Sequence, residues 1–358
     1  MVNGTFWQGR RILVTGHTGF KGAWLSLWLK LLGAEVIGYS LPPSTTPSLF
    51  ALTHLQDDLE SITGDVRDFR HLQEVIQGCC PEIVMHLAAQ ALVRPSYRDP
   101  LETYATNVMG TVHLLEAVRQ TRGVRAVINV TSDKCYENRE WIWGYREIDP
   151  MGGFDPYASS KGCSEIVTAA YRRSFFHPAD YGQHGVALAS ARAGNVIGGG
   201  DWNEDRLVPD IMRAHIEGRA LEIRTPQACR PWQFVLEPLR GYLMLAEKLA
   251  TVGPEYAEAW NFGPAEADVK PVLWLVEKLG EWCGPALTWQ IDGRHHPHEA
   301  ALLKLDSSKA RIQLGWEPVM NLETGLEWTV SWYKAFKDNP SSVRAVTESQ
   351  IISYQGLG

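Results

Sequence analysis

The sequence predicts an α/β chain in which a doubly wound parallel sheet is followed by a smaller mixed α/β lobe toward the C-terminus. Three observations carry this. Short apolar runs alternate with helical-period stretches through the first half, as strands and helices do when a parallel sheet is covered on both faces. The first apolar run, Arg11–Thr15, leads straight into the glycine-rich turn Gly16-His17-Thr18-Gly19-Phe20-Lys21-Gly22 and then into a helical stretch, which makes the sheet Rossmann-type. Past residue 198 the texture changes, with Gly198-Gly199-Gly200 and prolines at 209, 226, 231, 238, 254 and 264 marking shorter elements.

In chain order, Arg11–Thr15 is a buried-strand run, and Trp24–Leu32 has helical periodicity that stops at Gly33. Glu35–Tyr39 is a second strand; Ser61–Thr63, Ile83–Leu87, Ala126–Val130 and Val186–Ser190 continue the series. Helical patterns lie at Phe69–Gln77, Leu101–Val118, Pro271–Trp282 and Leu322–Phe336, with short strands expected at Trp260–Gly263 and Leu302–Leu305. The divisions expected are 1–197 for the sheet domain, 198–338 for the second lobe, from which short elements can return to the first domain, and 339–358 for a polar tail without a readable pattern.

Composition narrows the class of function. At 358 residues the chain can bury about three quarters of its unfolded surface, enough for one large domain or one and a half. Apolar content of 45% and charged content of 21% suit a soluble globular protein, and a net charge of −7 without a basic run argues against nucleic acid as a partner. The N-terminal residues carry no secretory pattern and no window approaches 18 uninterrupted apolar residues, so neither export nor a membrane partner is expected. Six cysteines without CxxC spacing read as reduced thiols, and the expected location is cytoplasmic.

The glycine turn reads as a pyrophosphate site. Gly16 permits the tight turn, Gly19 lets backbone approach a phosphate, Gly22 lets helix and strand pack closely, and the helix N-terminus offers free N–H groups. The acid that ordinarily meets the ribose at the end of the second strand is missing; the sequence there is Tyr39-Ser40-Leu41, leaving Ser40 to hydrogen-bond the ribose. No Lys or Arg lies between Lys30 and Arg67 to meet a 2′-phosphate, so NAD is favoured over NADP, at modest affinity; Lys21, as a phosphate contact, keeps that choice partly open.

Downstream, Asp155-Pro156-Tyr157 is a helix start with Asp as N-cap and Pro at the first position, which sets Tyr157 and Lys161 one turn apart on one face. A free tyrosine titrates near pH 10, and a nearby ammonium with a cationic nicotinamide is expected to lower it by roughly three units, about 4 kcal/mol of interaction. The run Thr131-Ser132-Asp133-Lys134 follows the Ala126–Val130 strand, whose carboxyl end faces the ligand crevice of such a sheet. A simple dehydrogenase needs only the hydroxyl there; an adjoining acid and amine imply further proton transfers.

These motifs resemble the extended short-chain dehydrogenase/reductase family, and within it the nucleotide-sugar 4,6-dehydratases, over about Gly9 to Phe336. The resemblance also rests on Gly64-Asp65-Val66-Arg67-Asp68, His86-Leu87-Ala88-Ala89-Gln90, Asn107–Thr111 and Arg192–Val196. It implies that Asp65 and Val66 lie at the adenine, that Leu87, Ala88, Ala89 and Asn107 lie beside the cofactor, and that Asn195, Arg206, Arg230 and His298 hold the diphosphate and sugar. Ser132-Asp133-Lys134, Gly198–Trp202, Asp205–Asp210, Arg230–Gln233 and His298-Glu299 are similar to the branch acting on CDP-glucose, where the dTDP-glucose branch carries Asp-Glu in place of Asp133-Lys134. The implied reaction oxidises carbon 4, removes water across carbons 5 and 6, and re-reduces carbon 6. Tyr157 takes the hydroxyl proton, Ser132 holds that hydroxyl, Asp133 donates to the departing 6-hydroxyl, and Lys134 acts as base or as stabilising cation. The resemblance further implies a homodimer paired through the helices bearing Asn107 and Tyr157, and a place before 3,6-dideoxyhexose formation for lipopolysaccharide O-antigen. Open alternatives are a dehydratase for another nucleotide, a nucleotide-sugar epimerase, and a cofactor-binding regulator without catalysis. His295-His296-Pro297-His298 is not read as a metal site, because the proline breaks helical ligand spacing and no second cluster follows.

Overall fold

The computed structural model describes residues 2–283, 288–294 and 300–357. Its centre is a seven-stranded sheet: β1 (Arg11–Thr15), β2 (Glu35–Ser40), β3 (Glu60–Thr63), β4 (Ile83–His86), β5 (Ala126–Val130), β6 (Ala187–Ala193) and β7 (Ala259–Phe262). The order is β7-β6-β5-β4-β1-β2-β3 and every pair is parallel. The chain reverses direction across the sheet between β1 and β4, so a crevice opens beyond their carboxyl ends, where such folds bind ligands. β4 and β5 are buried along their whole length, as strands covered on both faces must be.

The longer helices among the described residues are α1 (Phe20–Leu31), α2 (Phe69–Cys79), α3 (Gly110–Arg119), α4 (Pro156–Ser174), α5 (Leu207–Glu217), α6 (Leu236–Thr251), α7 (Val272–Cys283), α8 (Leu322–Asp338) and α9 (Val343–Gln355). One core joins α1, α6, α8 and α9 to the sheet and contains Trp24, Trp28, Trp260, Trp316 and Trp332, all fully buried. A second core on the opposite face packs α2 and α3 through Leu72, Ile76, Leu114 and Leu115 against Leu13, Val84 and Val127. In the C-terminal half, three two-stranded sheets pair Val196–Ile197 with Gln233–Phe234, Cys229–Pro231 with Val269–Pro271, and Leu221–Ile223 with Trp289–Ile291.

Three expectations differ from the structure. The stretch Leu101–Val118 is not one regular helix: Pro100–Tyr104 passes through a π-helical turn, Ala105–Met109, before α3. Leu302–Leu305 is not a strand; Leu302 and Leu305 make only single bridges, to Cys229 and Tyr145. Residues 343–355, where the polar sequence offered no pattern, form α9 and bury Val343, Ile351 and Tyr354. Tertiary burial decides this helix, because its apolar residues are too few to make a stripe legible alone.

Candidate active site

The glycine turn is built as its spacing requires. Gly16 has φ +77, and a Cβ there would sit 2.7 Å from the Ala88 nitrogen; a Cβ on Gly22 would sit 2.1 Å from the Gly16 oxygen. Gly19 is the N-cap of α1 and offers no side-chain cap, so the first-turn N–H groups remain available to an anion. Thr15 Oγ1 bonds His86 Nδ1 (2.7 Å) and accepts from the Ala88 N–H (3.2 Å), which holds Leu87, Ala88 and Ala89 beside Gly16. Ser40 and Thr18 share a hydrogen bond of 2.8 Å at the end of β2, the position of the missing acid. These residues fit a dinucleotide: two close approaches exclude any side chain, and the helix end is uncapped.

Several side chains expected at the cofactor are engaged by the protein itself. His17 is fully buried, bonds Ser61 Oγ (2.8 Å) and lies against Gly38, whose added Cβ would meet its ring at 2.3 Å; burial pulls it down to about 4, so it is neutral. Phe20 packs into the core. Asn107 spends its amide on the protein, donating to the Gln90 carbonyl (3.0 Å) and Ser160 Oγ (2.8 Å) and accepting from the Gln90 N–H (2.9 Å). It therefore secures the loop after β4 to α4. Asp65 is clamped by Arg67, whose Nε lies 2.8 Å from Oδ2, and Val66 is buried with its carbonyl bonded to His113 Nδ1 (2.9 Å). Lys21 points along the crevice into the reaction cavity. Burial, then Arg206 and Lys161, pull it down to about 7 against Asp133 and Asp201.

That cavity measures about 850 Å³ and is lined by Lys21, Ser132, Asp133, Lys134, Tyr157, Asn195, Arg206 and Arg230, so the structure brings these expected residues together, while Lys161 is not among the lining residues. Local structure explains how. Asp155 Oδ1 caps α4 by accepting the Ala158 N–H (2.8 Å), which aims Tyr157 into the cavity from the first turn. β5 ends at Val130, and Ser132 caps the short turn Asp133–Cys135 by accepting the Lys134 N–H (3.2 Å). Ser132 donates to Asp133 Oδ1 (2.9 Å). Asp133 Oδ2 is buried with no partner, and although Lys134, Lys21 and Arg230 face it, burial prevails and raises the carboxyl. Burial thus moves this carboxyl toward its neutral form.

The protein's own groups do not, on balance, lower Tyr157. Burial pushes the phenol up to about 12, and the groups opposing that are Ser132 and Arg206. Lys161 donates instead to the Val130 carbonyl (3.5 Å), and burial pulls it down to about 8. Two buried groups in low dielectric each shift toward their neutral form.

On the second lobe, Arg206 bonds Asp201 Oδ2 (2.9 Å), and Arg230 donates to the Cys229 carbonyl (2.9 Å). Asn195 holds Gln233 through its backbone carbonyl (2.9 Å). His298, with the cluster His295–His298, lies outside the described residues. Two functional neighbours were missed from sequence. Arg94 reaches from the short helix Val93–Arg98 after β4 to Asp205 (3.1 Å) at the cavity rim, and nothing in its local pattern signals that. Glu165 sits eight residues after Tyr157, and its i, i+4, i+8 spacing with Lys161 and Tyr157 is a readable signal of a shared face.

A dinucleotide turn at the switch point, with a tyrosine and lysine one turn apart on α4, defines an extended short-chain dehydrogenase/reductase. The chain belongs to the GDP-mannose 4,6 dehydratase family, whose model matches residues 13–329. It is 57% identical over 336 residues to CDP-glucose 4,6-dehydratase of Salmonella typhimurium, covering 94% of each chain. It is 25% identical to a probable dTDP-glucose 4,6-dehydratase of Sinorhizobium fredii, over 90% of this chain and 92% of that one. Among solved structures it resembles UDP-glucose 4-epimerase of Thermotoga maritima, solved with UDP-glucose, at a TM-score of 0.77 and 25% identity, covering 90% of this chain and 98% of that one.

Proposed function

We propose that the protein is an NAD-dependent CDP-glucose 4,6-dehydratase that converts CDP-D-glucose into CDP-4-keto-6-deoxy-D-glucose. The observation that carries the reading is the 57% identity to CDP-glucose 4,6-dehydratase across 94% of both chains. The chemistry of the cavity supports it. An epimerase has no use for an acid and an amine beside the hydroxyl residue, and here Asp133 and Lys134 both line the site.

The uncapped N-terminus of α1 and the cradle of Gly16, Gly19 and Gly22 hold the pyrophosphate, and Thr18 and Ser40 face the ribose. When bound there, NAD supplies a hydride acceptor for carbon 4 and a donor for carbon 6. Tyr157 accepts the 4-hydroxyl proton while Ser132 holds that oxygen, and Arg206 offsets the developing phenolate charge. The 4-ketone acidifies carbon 5, and Lys134 takes its proton. Asp133, which burial shifts toward its protonated form, gives its proton to the 6-hydroxyl, which leaves as water. Arg206 and Arg230 pair with the diphosphate, to which a guanidinium fork is matched.

Incubation with NAD and CDP-glucose, dTDP-glucose or GDP-mannose in parallel tests the reading. A keto-deoxy product from CDP-glucose is expected; turnover of only another nucleotide sugar, or an inverted hydroxyl without loss of water, would overturn it.

The assembly we propose is a homodimer joined through the helices that bear Asn107 and Tyr157. Exposed apolar side chains at Leu101, Met109 and Ile166 support it. Sedimentation should give twice the mass of the 40.1 kDa chain. No helix among the described residues is long and apolar enough to cross a membrane, and all six cysteines are free, which suits the reducing cytoplasm.

A further inference from the structure

We propose that Glu165 is a positioning residue of this active site: a buried carboxylate on the face of α4 that carries Tyr157 and Lys161, fastening the turn with Ser132, Asp133 and Lys134 to that helix. Its effect on turnover rests on the dehydratase reading above.

Residues 157, 161 and 165 are spaced by four, so their side chains rise along one face of α4 toward the carboxyl end of β5. Glu165 is 4% exposed. One carboxylate oxygen accepts from Thr131 Oγ1, the residue immediately before Ser132. The other accepts from Ser190 Oγ (2.6 Å) and Arg192 (2.8 Å), both on β6. Arg192 carries the connection onward. It donates to the Tyr136 hydroxyl (2.6 Å), and that hydroxyl donates to Asn261 Oδ1 on β7 (2.8 Å). The turn from 131 to 136 is thus held at both ends by one buried network: at Thr131 by Glu165 itself, at Tyr136 by its partner Arg192. None of these four side chains is needed for bond making, yet together they set where Ser132 and Lys134 stand relative to Tyr157.

Glu165 also faces Lys161. Burial pulls that amine down to about 8, and Glu165 is the leading group holding it up, with Cys135 second. Lys21 and His86 face the same amine from α1 and β4. Burial by itself would raise Glu165, but the Arg192 guanidinium and the hydroxyls of Ser190 and Thr131 hold it below the usual carboxylate range, so it is ionised at neutral pH.

Two variants separate positioning from stability. Glu165→Gln keeps an oxygen for Thr131 but removes the charge; because it strands Arg192 in the core, it is paired with the double variant Glu165→Gln/Arg192→Met, which removes both buried charges and is expected to fold. Both are assayed with CDP-glucose and NAD for kcat, KM and pH profile. Amide exchange of residues 131–136 is followed by mass spectrometry. The double variant should lose on the order of 100-fold in kcat, the scale of a misplacement of about 1 Å, with KM little changed. In Glu165→Gln the alkaline limb, which follows loss of the Lys161 proton, should move to lower pH, and exchange at 131–136 should quicken in the double variant. Loss of folded protein alone would lower activity without moving that limb. Parental kcat, pH limb and exchange in the folded variants would overturn the proposal. If the parent turns over no CDP-glucose, it is the dehydratase reading that fails. The exchange result then still decides the proposal, faster exchange supporting it and unchanged exchange overturning it.

Discussion

At the scale of single residues, the cavity separates proton-transfer roles by environment. Asp133 and Lys134 are adjacent in sequence, yet Asp133 is 3% exposed and driven toward its neutral form, while Lys134 stands at the half-buried wall of the cavity. Lys134→Ala should leave the first oxidation intact and slow water loss by about 10²- to 10⁴-fold, the usual worth of a positioned base, so that reduced cofactor accumulates in single-turnover absorbance. Formation of the keto-deoxy product at the parental rate would remove Lys134 from the mechanism. Tyr157 sets the pH dependence of the first step. With the phenol pushed up to about 12, the oxidation rate should climb with pH until loss of the Lys161 proton, at about 8, begins the alkaline limb. Ser132 lowers that phenol, so Ser132→Ala should move the climb to higher pH, measured by stopped-flow absorbance.

At the scale of elements, each end of a helix does a separate task. The start of α1 can serve an anion only because Gly16 and Gly22 meet backbone to backbone. Gly22→Ala places a Cβ 2.1 Å from the Gly16 oxygen, where no flexible side chain can give way, and calorimetry should show NAD binding weakened by at least about tenfold, or 1.4 kcal/mol. The start of α6 is a stability device. Glu237 is 1% exposed and accepts the N–H groups of Val319 (3.1 Å) and Met320 (2.7 Å), and burial raises it from 4.5 to about 7. Because its folded value lies above its unfolded one, its contribution is complete below about pH 4.5 and fades as pH rises through 7, by about 3 kcal/mol at most. The thermal midpoint of the parent should therefore fall more than that of Glu237→Gln between pH 5 and pH 7.5; identical profiles would show that the carboxyl does not titrate there.

At the scale of the whole molecule, the C-terminal half closes the first domain. β7 pairs with β6 at the sheet edge, Trp332 donates to Thr347 Oγ1 (2.8 Å), and Tyr354 meets the Trp28 ring on α1 at 5.8 Å. Arg344 of α9 pairs with Asp58 (2.7 Å), far away in sequence. Truncation after Asp338 removes Val343, Ile351 and Tyr354 from the core, at about 1.5–3 kcal/mol each and so about 5–9 kcal/mol together. That is comparable to the whole stability of a typical domain. The truncated chain should unfold at least about 10 °C lower, or be recovered only as aggregate. A parental midpoint would show that α9 is dispensable.

The parallel sheet, the glycine turn and the cap at Asp155 are legible in the sequence because each is written locally, in period, in φ and in the first turn of a helix. The gathering of Ser132, Asp133, Lys134 and Tyr157 is legible as well, since strand ends of such a sheet converge on one crevice. What only the tertiary structure decided is the electrostatic state of those groups and the neighbours that set it. Burial raises Tyr157, Lys21 turns into the reaction cavity, His17 faces the core, and Asn107 secures a loop. α9 likewise owes its existence to the surface it covers. Desolvation depends on everything packed around a group, much of it far away along the chain, whereas spacing and helix capping depend only on the next few residues.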